Sequence, residues 1–278
     1  MSFSVFGVEI FVYGIIIAVA ILAAFVTGLL LFKRVKYNEN IAYLILALTV
    51  PLGIILARAY YVAFSAHNFD TFRSVIAIRE GGMAIYGAII GGAFGLFIAA
   101  RIIKCGFYTL ADIVVMCVIL AQSIGRWGNF VNQEAYGIAT SNHVPPFTVL
   151  IGGQAHLATF FLESILNLVG FAIMIYLFLR WTRAGTYRWG TMSAFYLIWY
   201  GVVRAIIEPF RTDSLLIAGT NEIVFNRVSF VLSIALIVLG VLLLLATRFG
   251  KVSQENTKCL KQQPQQQSQS TKETATDT

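Results

Sequence analysis

The chain has 278 residues, of which 58% are hydrophobic and only 12% charged, with a mean hydropathy of +0.79. That composition excludes a soluble globular domain and fits a polytopic membrane protein. The net charge of +7 does not indicate a nucleic-acid partner, because the basic residues are distributed by topology and form no single stripe.

Crossing about 30 Å of hydrocarbon takes about 20 helical residues. Seven apolar runs meet that length: residues 12–32, 41–64, 83–100, 107–124, 157–179, 189–207 and 225–249. They predict an all-α integral membrane protein of seven transmembrane helices. The first run has no Lys or Arg before it and is long enough to span, so it reads as a retained helix and not as a cleaved leader. Lys33, Arg34 and Lys36 follow the first run, Arg101 and Lys104 the third, Arg180, Arg183 and Arg188 the fifth, and Arg248 and Lys251 the seventh. Basic loops stay cytoplasmic, so the N-terminus is expected outside and the C-terminus inside. Residues 253–278 are rich in Gln, Ser, Thr and Lys and predict a disordered cytoplasmic tail behind a seven-helix domain of residues 1–252. Cys105, Cys117 and Cys259 suggest no disulfide, metal pattern or redox pair. No internal repeat relates the two halves, which argues against a transporter built on inverted repeats.

Polar residues within such segments point to function by default. They are densest at residues 125–137, GRWGNFVNQEAYG, expected as a polar loop on the outer face after a fourth helix ending near Ile124. Arg58, beyond Pro51 in the second run, is either an anion site or a structural group held by a carboxylate or by backbone carbonyls. In the third, the glycines at 81, 82, 87, 91 and 92 suit close helix packing. Tyr86 among them is either an interfacial anchor or a catalytic hydroxyl. Tyr196, Tyr200, Arg204 and Glu208 recur every four residues on one face of the sixth run, with Arg211 three further on. An intrahelical Arg204–Glu208 pair is possible, but with Arg first it has the less favourable order, so Arg204 is assigned to a ligand. With Arg58, Arg126 and Arg204 converging and no matching set of carboxylates expected, the site calls for an anion in the outer leaflet. The guanidinium fork suits phosphate, and in a bilayer the available phosphate is a phospholipid headgroup. The three histidines, His67, His143 and His156, have no metal-ligand spacing.

The stretch GRWGNFVNQEAYG closely resembles the signature GR-x-GNF-x-N-x-E-x-x-G of the prolipoprotein diacylglyceryl transferases. All its fixed positions are present, as Gly125, Arg126, Gly128, Asn129, Phe130, Asn132, Glu134 and Gly137. The resemblance extends to Tyr13-Gly14, Ala57-Arg58, Tyr60-Tyr61 and GGMAIYG. It continues through Thr159, Phe160, Glu163, Ser164 and Asn167, and through Tyr200, Gly201, Arg204, Glu208, Phe210, Arg211 and Asp213. Tyr86 stands where many members carry a histidine proposed as the base. Val12, Leu56 and the Leu157-Ala158 pair also depart from the pattern.

The resemblance implies a membrane enzyme of the bacterial cytoplasmic membrane, working at its outer face. It would move the diacylglyceryl group of phosphatidylglycerol onto the lipobox cysteine of a preprolipoprotein signal peptide, releasing glycerol phosphate, with no metal or other cofactor. Arg126 and Arg204 would stabilise the leaving phosphate. Tyr86 would orient it, since a tyrosine near about 10 is mostly protonated and a poor base. Asn129, Asn132 and Glu134 would shape the headgroup pocket, with Arg58, Tyr13, Tyr200 and Glu208 also toward the substrate. The segment at residues 138–155 is the candidate door for the peptide.

Overall fold

The structure, a computed structural model, describes residues 2–5, 8–36, 38–64, 71–77, 81–212 and 227–249. In chain order they form β1 (Ser2–Val5), β2 (Val8–Phe11), α1 (Val12–Arg34), α2 (Asn40–Phe64), the single turn α3 (Phe72–Ile76), α4 (Ile85–Ile102) and α5 (Phe107–Asn132). Then come β3 (Ala139–Thr140), β4 (Thr148–Ile151), β5 (Gln154–Leu157), α6 (Thr159–Arg183), α7 (Thr191–Ile207) with a 3-10 turn at Glu208–Phe210, and α8 (Val228–Phe249). The expected tail and Asp213 lie outside the described residues.

Among the described residues, six helices are long and apolar enough to cross a membrane: α1, α2, α4, α5, α6 and α8. The sixth expected span is the shorter α7, with 17 residues, because Pro209 cannot continue its hydrogen-bond ladder. The protein is mostly helical, consistent with an all-α membrane protein, and two small β elements stand outside the helices. β1 and β2 form an antiparallel hairpin ahead of α1, and β3, β5 and β4 form a three-stranded sheet between α5 and α6. The sheet turns at Gly152 and Gly153, both with positive φ (58° and 87°). A two-residue hairpin turn requires that conformation, and Ile151 pairs with Gln154 across it.

Among the described residues the chain divides into two compact units, residues 2–28 with 112–249, and residues 29–111. In the second unit α2 and α4 pack antiparallel. A Cβ on Gly87, Gly91 or Gly95 would lie 2.2, 2.3 or 2.8 Å from the carbonyl oxygens of Leu56, Leu52 and Leu48. Four-residue spacing puts these glycines on one face, so backbone meets backbone. Gly92, grouped with them from the sequence, faces open space. Cys105 is disulfide-bonded, against the expectation of no disulfide, and Cys117 is a buried free thiol.

In the first unit α7 packs against α6 and α8, and side chains of α5 bond to α6 and α7. The start of α7 is tied to α5 by a fully buried carboxylate. Asp112 accepts hydrogen bonds from the Ser193 hydroxyl (2.6 Å), the Ser193 amide (2.8 Å), the Gly190 amide (2.7 Å) and the Tyr187 hydroxyl (2.5 Å). These amides belong to the otherwise unpaired first turn of α7, so a residue of another helix caps it, with the charge favoured there by the helix dipole. Burial, then the neighbouring Asp112, pushes the Tyr187 hydroxyl well above its ordinary value of 10.0, so it stays protonated as a donor.

Candidate active site

The fourth helix does not stop near Ile124. α5 continues to Asn132, carrying Arg126 and Asn129 on its last two turns. Gly128 lies within the helix and leaves room for the Tyr13 ring, whose nearest atom would be 2.6 Å from an added Cβ. The helix ends at Gln133, with φ 53°. There the amides of Gln133 and Glu134 return to the carbonyls of Phe130 (3.2 Å) and Asn129 (3.0 Å). That pattern closes a helix around a left-handed residue. Ala135 also has positive φ (54°). Two non-glycine residues held this way store strain of order 1–3 kcal/mol each, a feature that clusters at functional sites.

Side-chain bonds hold α5 against α6 beside Arg126. The Ser123 hydroxyl donates to the Ser164 carbonyl and the Ser164 hydroxyl to that of Ser123, each at 2.8 Å, and the Trp127 indole donates to Ser164 Oγ at 3.2 Å. Beyond the helix end, the Gly137 amide donates to Leu157 O (2.8 Å) and the Ile138 amide to Phe210 O (2.9 Å). Thr159 Oγ1 donates to Ala135 O (2.6 Å). An added Cβ on Gly137 would sit 2.7 Å from Phe210 O, so glycine is needed for the backbones to meet. His156 donates from Nδ1 to Gly137 O at 3.0 Å and serves this crossing.

These contacts bring three guanidiniums from three places in the chain onto one carboxylate. Glu163, in the second turn of α6, is 1% exposed. Its Oε1 accepts from Arg204 Nη1 (3.1 Å) and Arg211 Nη1 (3.3 Å), and its Oε2 pairs with Arg126 Nη2. Arg204 Nη2 also reaches Glu208 Oε2 at 2.9 Å. Arg227 donates from Nη1 to the backbone carbonyl of Glu208. The expectation of arginines without matching carboxylates is therefore corrected: Glu163 and Glu208 are both buried among them. The Arg204–Glu208 pair forms despite its less favourable order, because Glu208 is fully buried and needs a cation within reach. Among the described residues, four guanidiniums, those of Arg126, Arg204, Arg211 and Arg227, thus gather around two buried carboxylates. Glu208 Oε1, Asn167 Oδ1 and Gln122 Oε1 are buried without a hydrogen-bond partner among the described residues.

The remaining expected residues are placed as follows. Tyr200 stacks on Tyr196 (5.9 Å between ring centres), whose hydroxyl accepts from Gln122 at 2.8 Å. The exposed Asn132 donates to Glu134 at 3.3 Å. Arg58 and Tyr86 belong to the second unit. The Arg58 guanidinium donates to the carbonyls of Ser74 (2.6 Å), Val75 (2.8 Å), Gly81 (2.5 Å) and Gly82 (2.9 Å), the structural one of its two alternatives. Tyr86 is partly exposed, 6.2 Å from the Tyr60 ring. Residues 138–155, the candidate segment for peptide entry, contribute to the small sheet. A cavity of about 330 Å³ lies there, lined by Trp127, Phe130, Phe160, Phe161 and Pro146 among others. No group of three His, Cys, Asp or Glu able to hold a metal is found among the described residues.

The family profile described as "Prolipoprotein diacylglyceryl transferase" matches residues 1–246, nearly all of the chain that carries these elements. The chain belongs to this family. Similar proteins named phosphatidylglycerol–prolipoprotein diacylglyceryl transferase include one from Finegoldia magna, 36% identical over 87% of this chain and 93% of the relative. One from Listeria welshimeri is 38% identical over 87% and 92%, and one from Listeria monocytogenes 40% identical over 82% of each. As a diacylglyceryl transferase family member the chain is a transferase of lipoprotein maturation, and its arginine cluster lies within the matched region.

Proposed function

We propose that this chain transfers the diacylglyceryl group of phosphatidylglycerol to the lipobox cysteine of preprolipoproteins, and that the Arg126–Arg204–Arg211 cluster is where the phosphate leaves. The supporting observation is the convergence of three guanidiniums on a buried Glu163. In the reaction the cysteine sulfur bonds to the terminal glyceryl carbon, the carbon–oxygen bond to phosphate breaks, and glycerol phosphate leaves with the electron pair. The thiol proton passes to solvent or to a base. Charge gathers on the phosphate as that bond breaks, so fixed guanidiniums stabilise the transition state more than the ground state. The same field favours the thiolate of a cysteine brought beside it.

Arg126 is the first contact for the phosphate in this reading. Its Nε and Nη1 have no acceptor among the described residues, and it is the most exposed of the three, at 20% against 12% and 11%. Arg204 uses both terminal nitrogens on Glu163 and Glu208 and acts as the brace. Asn129, Asn132 and Glu134 shape the headgroup pocket, with Tyr13 and Tyr200 beside them. Tyr86 orients the phosphate by hydrogen bonding. Arg58 contributes by fixing the backbone at Ser74, Val75, Gly81 and Gly82. α7 with its 3-10 turn makes the seventh crossing, the N-terminus is outside, and the protein sits in the bacterial cytoplasmic membrane with this cluster toward the outer leaflet.

Membranes containing the protein, incubated with acyl-labelled phosphatidylglycerol and a lipobox peptide, are expected to pass label to the peptide cysteine as a thioether. A peptide recovered without label would overturn the assignment.

A further inference from the structure

The arginine cluster is not the only place where this molecule joins guanidinium to apolar depth. At the other end of α7 lies a cavity of about 440 Å³, lined by residues of α6, α7, α8 and the turn between α6 and α7. Two exposed arginines, Arg188 and Arg248, stand among its lining, with Thr186 and Thr191. Phe195, Ile198 and Leu244 line it further along the helices. Arg188 Nη1 donates to the Arg248 carbonyl at 2.9 Å, which ties the two positions together. The Arg248 guanidinium has no protein acceptor among the described residues, nor do the remaining N–H groups of Arg188. Residues 176–196 and 241–249 contain no Asp or Glu. The cavity therefore combines cationic and hydroxyl groups at a helix end with an apolar wall along the helices, and no carboxylate on these segments offsets the charge.

We propose that this cavity seats one anionic phospholipid of the leaflet at the basic helix ends, with its phosphate on Arg188 and Arg248 and an acyl chain along Phe195, Ile198 and Leu244. The charge complementarity selects the occupant. Guanidinium pairs suit a phosphate held bidentately, and the apolar wall suits a chain that free phosphate lacks. Trp181, also lining the cavity, is the residue type that settles at headgroup level. The site rests on α6 and α8 as membrane spans and does not depend on the transfer reaction.

The full chain in phosphatidylcholine nanodiscs carries a trace of phosphatidic acid bearing a photoreactive acyl chain, a lipid that is not the proposed transfer substrate. Irradiation is expected to label peptides containing Phe195, Ile198 or Leu244, and a phosphatidylcholine probe of the same chain to label them about tenfold less. Arg188→Gln with Arg248→Gln is expected to reduce the phosphatidic acid label by a similar factor. Equal labelling by both probes in the unaltered protein overturns the proposal whether or not the variant folds. So does loss of label on adding excess free glycerol phosphate, which would mark a site for a soluble phosphate. Lipid transfer measured in parallel, in discs that also carry phosphatidylglycerol and with a lipobox peptide added, reports separately on the proposed activity.

Discussion

Replacing Glu163 by glutamine tests the cluster most directly, because the change keeps shape and removes one charge. In the native arrangement its two oxygens serve Arg126, Arg204 and Arg211, and Glu163 is 1% exposed while the arginines are 11–20% exposed. Solvent screening is therefore weak. Removing one partner of a buried ion pair costs about 3–5 kcal/mol, and the glutamine carbonyl, still able to accept one or two of the donors, places the loss near the lower figure. With one negative charge removed the guanidiniums separate, and misplacement on the scale of an ångström lowers kcat by about 100-fold. Thermal unfolding in detergent and lipid transfer to a lipobox peptide read the two effects. A cycle with Arg126→Gln isolates the pair: direct contact predicts a coupling of about 0.5–3 kcal/mol. An unchanged unfolding midpoint for Glu163→Gln, or additivity of the two changes, refutes the reading of Glu163 as the hub.

Gly91→Ala is expected to destabilise the α2–α4 pair by about 1–3 kcal/mol, since the new methyl falls 2.3 Å from Leu52 O, whereas Gly92→Ala, facing open space, is expected to be neutral or slightly stabilising; unfolding midpoints of the two variants give the comparison. Asp112→Asn presents an amide to donors that now meet a carboxylate and is expected to cost about 1–3 kcal/mol, read as a lower midpoint with little change in KM for the lipid. For the headgroup, Arg126→Ala is expected to lower transfer by about 100- to 1000-fold. Tyr86→Phe is expected to lower it by a smaller factor, and full turnover in that variant ends the proposed role of the hydroxyl.

The spans were legible because hydropathy depends on composition alone, and the six long helices fall where the apolar runs lie. The end of α5 was not. Gly125 and Gly128 look like loop residues in sequence, and the need for a small residue at 128 shows only once the Tyr13 ring is seen against it. The small sheet was hidden for a different reason. Strands of two to four residues are too short to show alternation, although the Gly152-Gly153 pair carried the turn signal. The arginines stood out as ionisable groups in apolar surroundings, but what each one touches is set by tertiary packing. Arg58 meets carbonyls from beyond its own helix, and Glu163 meets partners 37 to 48 positions away in sequence. Asp112, bonded to residues more than 70 positions away, gave no local signal.

The pairing of Glu163 with the arginines bears on how such a cluster exists before its substrate arrives. Three guanidiniums held this close with no anion would repel one another and pay desolvation without compensation. Two buried carboxylates remove most of that penalty, and by pairing with terminal nitrogens they fix the planes of the forks. Among the described residues Nε and Nη1 of Arg126 have no acceptor, and these are the donors that the proposed function assigns to the phosphodiester. The last two turns of α5 are held by the Ser123–Ser164 pair and closed by Gln133 in the left-handed conformation, so those donors cannot follow the leaving group without breaking the contacts that aim them. A fixed donor favours the geometry in which charge is greatest, which is the transition state of the carbon–oxygen cleavage.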